Sequence, residues 1–329
     1  MPADKQSCEE IAAAATALER TGLLTEALAS WRRAVSCVSS PGYLFRLGRV
    51  ATKLGLWKEA ECSLLAALTA APNWGLAHVA LGRVYRSTGD HERARDSLRQ
   101  AVTHGVREAW TLSLLADALI RLGQLQDAEE VLKEALAVDP KYEEAYFLMA
   151  QARAGDPKSS ADELVPLYLQ AIALDPEYSL AHRELGWLLR GLDQIQEAEK
   201  HVRRAIELDP ADEWSFIYLG NILWGRGDLP GAAGAFEKAI ELDPSGSTGY
   251  WCLADLRRAE GDMPEAKRLL RQSLAHQVDS APANLRFALL LWDLGQRRKA
   301  KKYLRRVLHF APENAVARRL LDQGDAPSG

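Results

Sequence analysis

The sequence predicts an all-α solenoid of about nine stacked helical hairpins closed by a capping helix. Three observations carry that class. Apolar residues recur at helical spacing in paired segments, small residues return every 33 or 34 positions, and glycine and proline punctuate the segments at matching intervals. The unit is clearest between Glu213 and Pro244. Phe216, Leu219, Gly220 and Leu223 share one helical face, and Gly225, Gly227 and Asp228 interrupt it. Asp228 is placed to cap a second helix, with Pro230 in its first turn, where a missing N–H costs nothing. Ala232, Phe236, Ala239 and Ile240 form the second face, and Leu242-Asp243-Pro244 ends it.

The frame then places each element in order. A small residue early in every second helix runs Ala27, Ala60, Ala94, Ala128, Ala198, Ala232, Ala266 and Ala300, with one double step of 70 that hides an irregular repeat. In the first helices another runs Ala15, Gly48, Gly82, Ala116, Ala150, Gly186, Gly220, Ala254 and Ala288. Small residues there let two helical backbones approach closely. The expected array covers 8–321, between an N-terminal tail at 1–7 and a flexible tail at 322–329. Its repeats are 8–40, 41–74, 75–108, 109–142, 143–178, 179–212, 213–246, 247–280 and 281–312, with a capping helix at 313–321. Repeat five departs from the period. Gly155 to Ser160 form a longer loop, and Leu164 stands where the others have alanine. A kink or hinge and a plain loop insertion both account for it.

The pattern Phe216, Leu219-Gly220, Ala232, Phe236, Ala239 and Pro244 resembles the tetratricopeptide repeat family, and Leu81-Gly82, Tyr85, Ala94, Leu98 and Ala101 form another match. The resemblance runs over about residues 8 to 312. It implies a right-handed superhelix in which first helices line a concave groove that receives protein segments. The partner is not named by it.

Composition narrows the class further. The 329 residues are 47% hydrophobic and 26% charged, with a net charge of −4, so nothing pulls the whole chain toward nucleic acid or an anionic membrane. No run of 18 apolar residues occurs, and the polar N-terminus suggests no export signal. Cys8, Cys37, Cys62 and Cys252 are scattered without a C-x-x-C pair, which points to a reduced, cytoplasmic chain.

If first helices line the groove, the positions not used for packing include Arg46, Arg49, Lys53, Arg83 and Arg86 in repeats two and three. No nearby groove acid is apparent for this basic set. In repeats six to nine the same positions hold Trp187, Trp214, Tyr218, Asn221, Trp224, Trp251 and Trp292. These aromatics either fill seams between neighbouring first helices or face a partner, since Trp and Tyr are enriched among residues that dominate binding energy. A second basic surface lies in the last hairpin, where Arg297, Arg298, Lys299, Lys301, Lys302, Arg305 and Arg306 occur with no acid among them. It reads as a solvated face or as a docking face for an anionic partner. The lysine and asparagine set by which some family members hold a terminal carboxylate is absent.

Chemistry is nearly absent from the sequence. The seven histidines fall in no metal-ligand or acid–base spacing, and no phosphate-binding loop follows a strand. His78 and His182 occupy the fourth position of their repeats, a packing site. No cofactor, metal or catalytic residue is expected. The reading is a non-enzymatic scaffold whose groove binds a protein or peptide that is acidic and apolar in part. The alternative is an accessory or regulatory subunit presenting substrates to an enzyme on another chain; nucleic-acid binding is disfavoured, and the oligomeric state is not set by the sequence.

Overall fold

The computed structural model describes residues 3–323, and among these all regular structure is α-helical. The chain divides into two compact units, Met1–Pro176 and Glu177–Gly329. The first holds α1 (Ala3–Arg20), α2 (Leu24–Cys37), α3 (Pro41–Lys53), α4 (Trp57–Ala70), α5 (Gly75–Ser87), α6 (His91–Thr103), α7 (Ala109–Arg121), α8 (Leu125–Val138), α9 (Glu143–Ala154) and α10 (Ala161–Leu174). The second holds α11 (Ser179–Gly191), α12 (Ile195–Leu208), α13 (Glu213–Gly225), α14 (Leu229–Leu242), α15 (Ser247–Ala259), α16 (Met263–His276), α17 (Ala281–Asp293), α18 (Arg297–Phe310) and α19 (Ala315–Gln323). Consecutive odd and even helices pair as hairpins, and each second helix then packs on the next first helix within its unit. The helix α1 begins at Ala3, ahead of the repeat start expected at residue 8. Most of the tail expected at 322–329 lies outside the described residues.

Local chemistry sets the helix ends. Asp90, Asp228 and Asp262 each accept a hydrogen bond from the backbone N–H three residues on, at 3.0 Å, satisfying a donor that the first turn leaves open. Turn glycines such as Gly227 (φ +86°) take the left-handed conformation that reverses the chain. At the equivalent point between α11 and α12 stands Asp193 (φ 60°), the one non-glycine residue with positive φ among the described residues. After Pro72, Pro140 and Pro244 the proline carbonyl accepts a hydrogen bond from the fourth residue of the next first helix. His78 lies 2.8 Å from the Pro72 oxygen, and the Tyr146 and Tyr250 hydroxyls donate to Pro140 and Pro244.

The hairpin core follows the small residues. Ala27, Ala60, Ala94, Ala128, Ala198, Ala232, Ala266 and Ala300 are fully buried, and Leu164 occupies the same slot in α10 at 7% exposure. One turn later come Trp31, Leu64, Leu98, Leu132, Tyr168, Val202, Phe236, Leu270 and Leu304, all buried. Four of them, Leu64, Leu98, Val202 and Phe236, face a glycine of the preceding first helix. A Cβ on Gly48 would meet Leu64, on Gly82 Leu98, on Gly186 Val202, and on Gly220 Phe236, at separations of 2.7, 2.6, 2.5 and 2.4 Å. On α19, the last described helix, Ala317 and Leu320 cover Ala288, Leu304 and Val307. Asn314 caps that helix, accepting from the Ala317 N–H at 2.9 Å.

Candidate functional site

In the N-terminal unit the first helices α3, α5 and α7 line a cavity of about 290 Å³. Its apolar wall is Phe45, Leu76, Val79, Ala80 and Trp110, and its polar edge is Arg49, Thr52, Lys53 and Arg83. Phe45 is buried against Trp74, with ring centroids 4.5 Å apart, and the Arg49 guanidinium lies 5.6 Å from its ring. Leu76 and Trp110 stay substantially exposed, at 47% and 37%. Three cations therefore border an open apolar hollow, and none of them makes an ion pair among the described residues.

The other two cations of the expected basic set behave differently. Arg46 reaches Glu19 on α1 at 3.7 Å, and Arg86 reaches Asp117 on α7 at 3.5 Å. The expectation of a five-residue cluster without groove acids is thus corrected to three. The reason is topological: in a stacked array the neighbour of a side chain lies about one period away in sequence, so local inspection does not show the acid. The same rule joins first helices in the C-terminal unit. Arg183 pairs with Asp212 at 3.0 Å, Arg286 with Asp255 at 2.5 Å, and Arg258 with Asp293. Burial raises the Asp255 carboxyl above its ordinary value, and the Arg286 guanidinium opposes that shift.

The aromatic set of the C-terminal unit separates into different environments. Trp187 on α11 and Tyr218 on α13 stack with centroids 4.6 Å apart, and Trp214 meets Tyr218 edge-on at 6.3 Å. Both tryptophans are exposed, at 38% and 42%, while burial and the nearby Glu184 push the Tyr218 hydroxyl up to about 12. Trp251 lies under the Arg286 guanidinium at 3.7 Å. Trp224 lines a separate cavity of about 540 Å³ with Met263, Leu285 and the two Arg–Asp pairs of Arg258 and Arg286. Asn221 donates its amide to the Ile217 carbonyl at 2.8 Å. Trp292 packs against the core beneath α19, and Arg297 covers its ring at 3.9 Å.

Tetratricopeptide repeat profiles match residues 12–74, 45–111, 85–154, 179–212, 217–284 and 257–324, which together span most of the sequence. The chain belongs to the tetratricopeptide repeat family. Arrays of this family generally serve as protein–protein interaction scaffolds. A curated relative, the TPR repeat-containing protein YpiA of Bacillus subtilis (strain 168), is 23% identical over 198 residues, covering 58% of this chain. The match takes in only 45% of that relative's length. Among solved structures, a tetratricopeptide repeat protein from Parabacteroides merdae ATCC 43184 superimposes with a TM-score of 0.65 at 18% identity, covering 76% of this chain and 98% of that one. The APC/C hetero-tetramer Cut9-Hcn1 gives 0.60 at 13% identity, covering 94% and 95%. These two likenesses concern the fold.

In this tetratricopeptide repeat chain sequence reasoning missed Leu76, Trp110 and the Phe45 floor. The signal was present, because the second residue of four first helices, α5, α7, α11 and α13, is Leu76, Trp110, Leu180 and Trp214, and all four are exposed. Of the fourth-position histidines, His182 is buried, with its Nδ1 2.9 Å from Nδ1 of His201, and His78 is half-buried and stacked on His104. Among the described residues no group of three His, Cys, Asp or Glu side chains is placed to hold a metal ion, and no helix is long and apolar enough to cross a membrane.

Proposed function

We propose that the first-helix face of the N-terminal unit binds a protein segment carrying an apolar side chain flanked by carboxylates. The observation that carries this reading is the hollow of Phe45, Leu76, Val79, Ala80 and Trp110 bordered by Arg49, Lys53 and Arg83. An aliphatic or aromatic anchor seated there gains roughly 25 cal/mol per Å² of apolar surface removed from water. The cations steer the approach and select against basic segments. Stacked helices fix the lining before the ligand arrives, so ordering costs fall mainly on the segment. In the C-terminal unit the first-helix arginines Arg183, Arg286 and Arg258 are held by Asp212, Asp255 and Asp293, which leaves its face less suited to an acidic ligand. The exposed thiols of Cys37 and Cys62 suit a reducing compartment, and the cytoplasm is the location we assign to this scaffold.

Selection of peptides from a random display library on the intact protein tests the reading. Enrichment of Asp or Glu beside Leu, Phe or Trp is expected. Selected peptides should lose about tenfold or more in affinity to a Trp110→Ala variant and to an Arg49→Glu/Arg83→Glu variant. Peptides without acids, or affinities that ignore both variants, would overturn it.

A further inference from the structure

The helix α18 carries seven cations in its first ten residues and no acid. The structure separates them. Arg297 covers Trp292 at 3.9 Å, Arg306 lies 5.9 Å from the Tyr303 ring, and Lys301 is half-buried. Arg298, Lys299, Lys302 and Arg305 remain, exposed and without an ion pair among the described residues. From residue 298 to 305 every exposed side chain is one of these four. Spacings of three, four and seven put them on one face of the helix.

This face is costly to the fold. Arg297, Arg298 and Lys299 sit in the first turn, where the helix dipole already places partial positive charge. Like charges three and four apart repel across the same surface. Second helices elsewhere relieve such charge with carboxylates: Arg93 with Asp90 and Glu61, Arg203 with Glu199, Lys238 with Glu241, and Arg268 with Glu265. A local arrangement that opposes stability and has no internal compensation marks a surface kept for something outside the chain.

We infer that the Arg298–Arg305 face of α18 is a second docking surface, separate from the N-terminal hollow, and that its occupant is a short acidic segment of another protein. Charge complementarity fixes the sign. The chain's own net charge of −4 argues for a short ligand, because a long polyanion extending past the patch meets a molecule that repels it overall. Between residues 298 and 305 the face also offers no exposed apolar or aromatic side chain to enter a bilayer or to stack on a base, which membrane-surface helices and single-strand binders use, and the exposed Phe310 of α18 lies beyond it at the helix C-terminus.

The test uses the intact protein and fluorescently labelled octaglutamate, with a short DNA duplex and phosphatidylserine vesicles in parallel. Octaglutamate should bind at low salt and weaken steeply between about 0.03 and about 0.3 M salt. An Arg298→Glu/Lys302→Glu/Arg305→Glu variant, with unchanged circular dichroism, should bind it about tenfold or more weakly. An Arg49→Glu/Arg83→Glu variant should retain most of the binding, which keeps this surface distinguishable from the N-terminal hollow. Octaglutamate binding that survives the triple reversal, the absence of binding, or tighter binding of the duplex or the vesicles would each overturn the inference.

Discussion

Replacing Gly220 by alanine tests the packing on which every hairpin rests. The Cβ this adds would lie 2.4 Å from Cε1 and 2.6 Å from Cδ1 of Phe236, a ring with no solvent exposure. Ordinary carbon contacts are about 3.5–4 Å, so the ring or the helix must shift by roughly 1 Å. Overpacking of this kind costs about 1–3 kcal/mol, against a gain of about 1 kcal/mol from replacing glycine inside a helix. Gly234 supplies the control. It sits within α14, is exposed, and an added Cβ there meets nothing within 4 Å. Gly234→Ala therefore retains only the gain, and the difference between the two variants isolates the steric cost at about 1–3 kcal/mol. Repeat arrays need not unfold as one unit, so the readout is native-state hydrogen exchange of α13 and α14 amides rather than a single melting temperature. Gly220→Ala should lower their protection relative to Gly234→Ala. A Gly220→Ala/Phe236→Leu variant reproduces the Ala–Leu pairing that the register gives at Ala116 with Leu132 and at Ala254 with Leu270. It should recover part of the loss. Equal protection in the two alanine variants would refute the close approach of these helices.

Two further outcomes follow from the C-terminal unit. Asp193→Gly should stabilise the α11–α12 hairpin by about 1 kcal/mol, read as slower exchange of its amides, because φ is 60° and the neighbouring hairpins use glycine at that turn. His201 has its pKa lowered from 6.5 by burial and by the facing His182, with Lys200 acting in the same direction and Glu197 against it. The folded unit thus holds fewer protons there than the unfolded chain. The stabilisation is complete above the unfolded value and is lost as pH falls through the lower folded one. Protection of α11 and α12 should drop between about pH 7.5 and about pH 5, and a His201→Gln variant should show a smaller drop. An identical drop in that variant would assign the effect to other groups.

The candidate sites divide by how far apart in sequence their determinants lie. Trp214, Tyr218 and Trp187 were legible because one helical frame, copied along the chain, marks its outward positions. The N-terminal hollow was legible only as cations. Its apolar wall joins Phe45, Leu76 and Trp110 from three hairpins, and the frame alone does not tell a seam from a cavity. Phe45 in particular sits in a buried position and still forms a wall of the hollow.

The sequence by itself determined the helices, their pairing and the residues at each hairpin contact. A 34-residue period is a local property, with small residues, caps and turn glycines all acting within about one repeat. Tertiary structure alone decided which charges are neutralised and which tryptophans are exposed. Glu19 pairs with Arg46 and Asp117 engages Arg86, while Arg286 covers Trp251 and Trp214 stays 42% exposed. Those outcomes depend on side chains that meet only after one hairpin has stacked on the next, and Coulomb attraction and burial act over ångströms rather than along the chain.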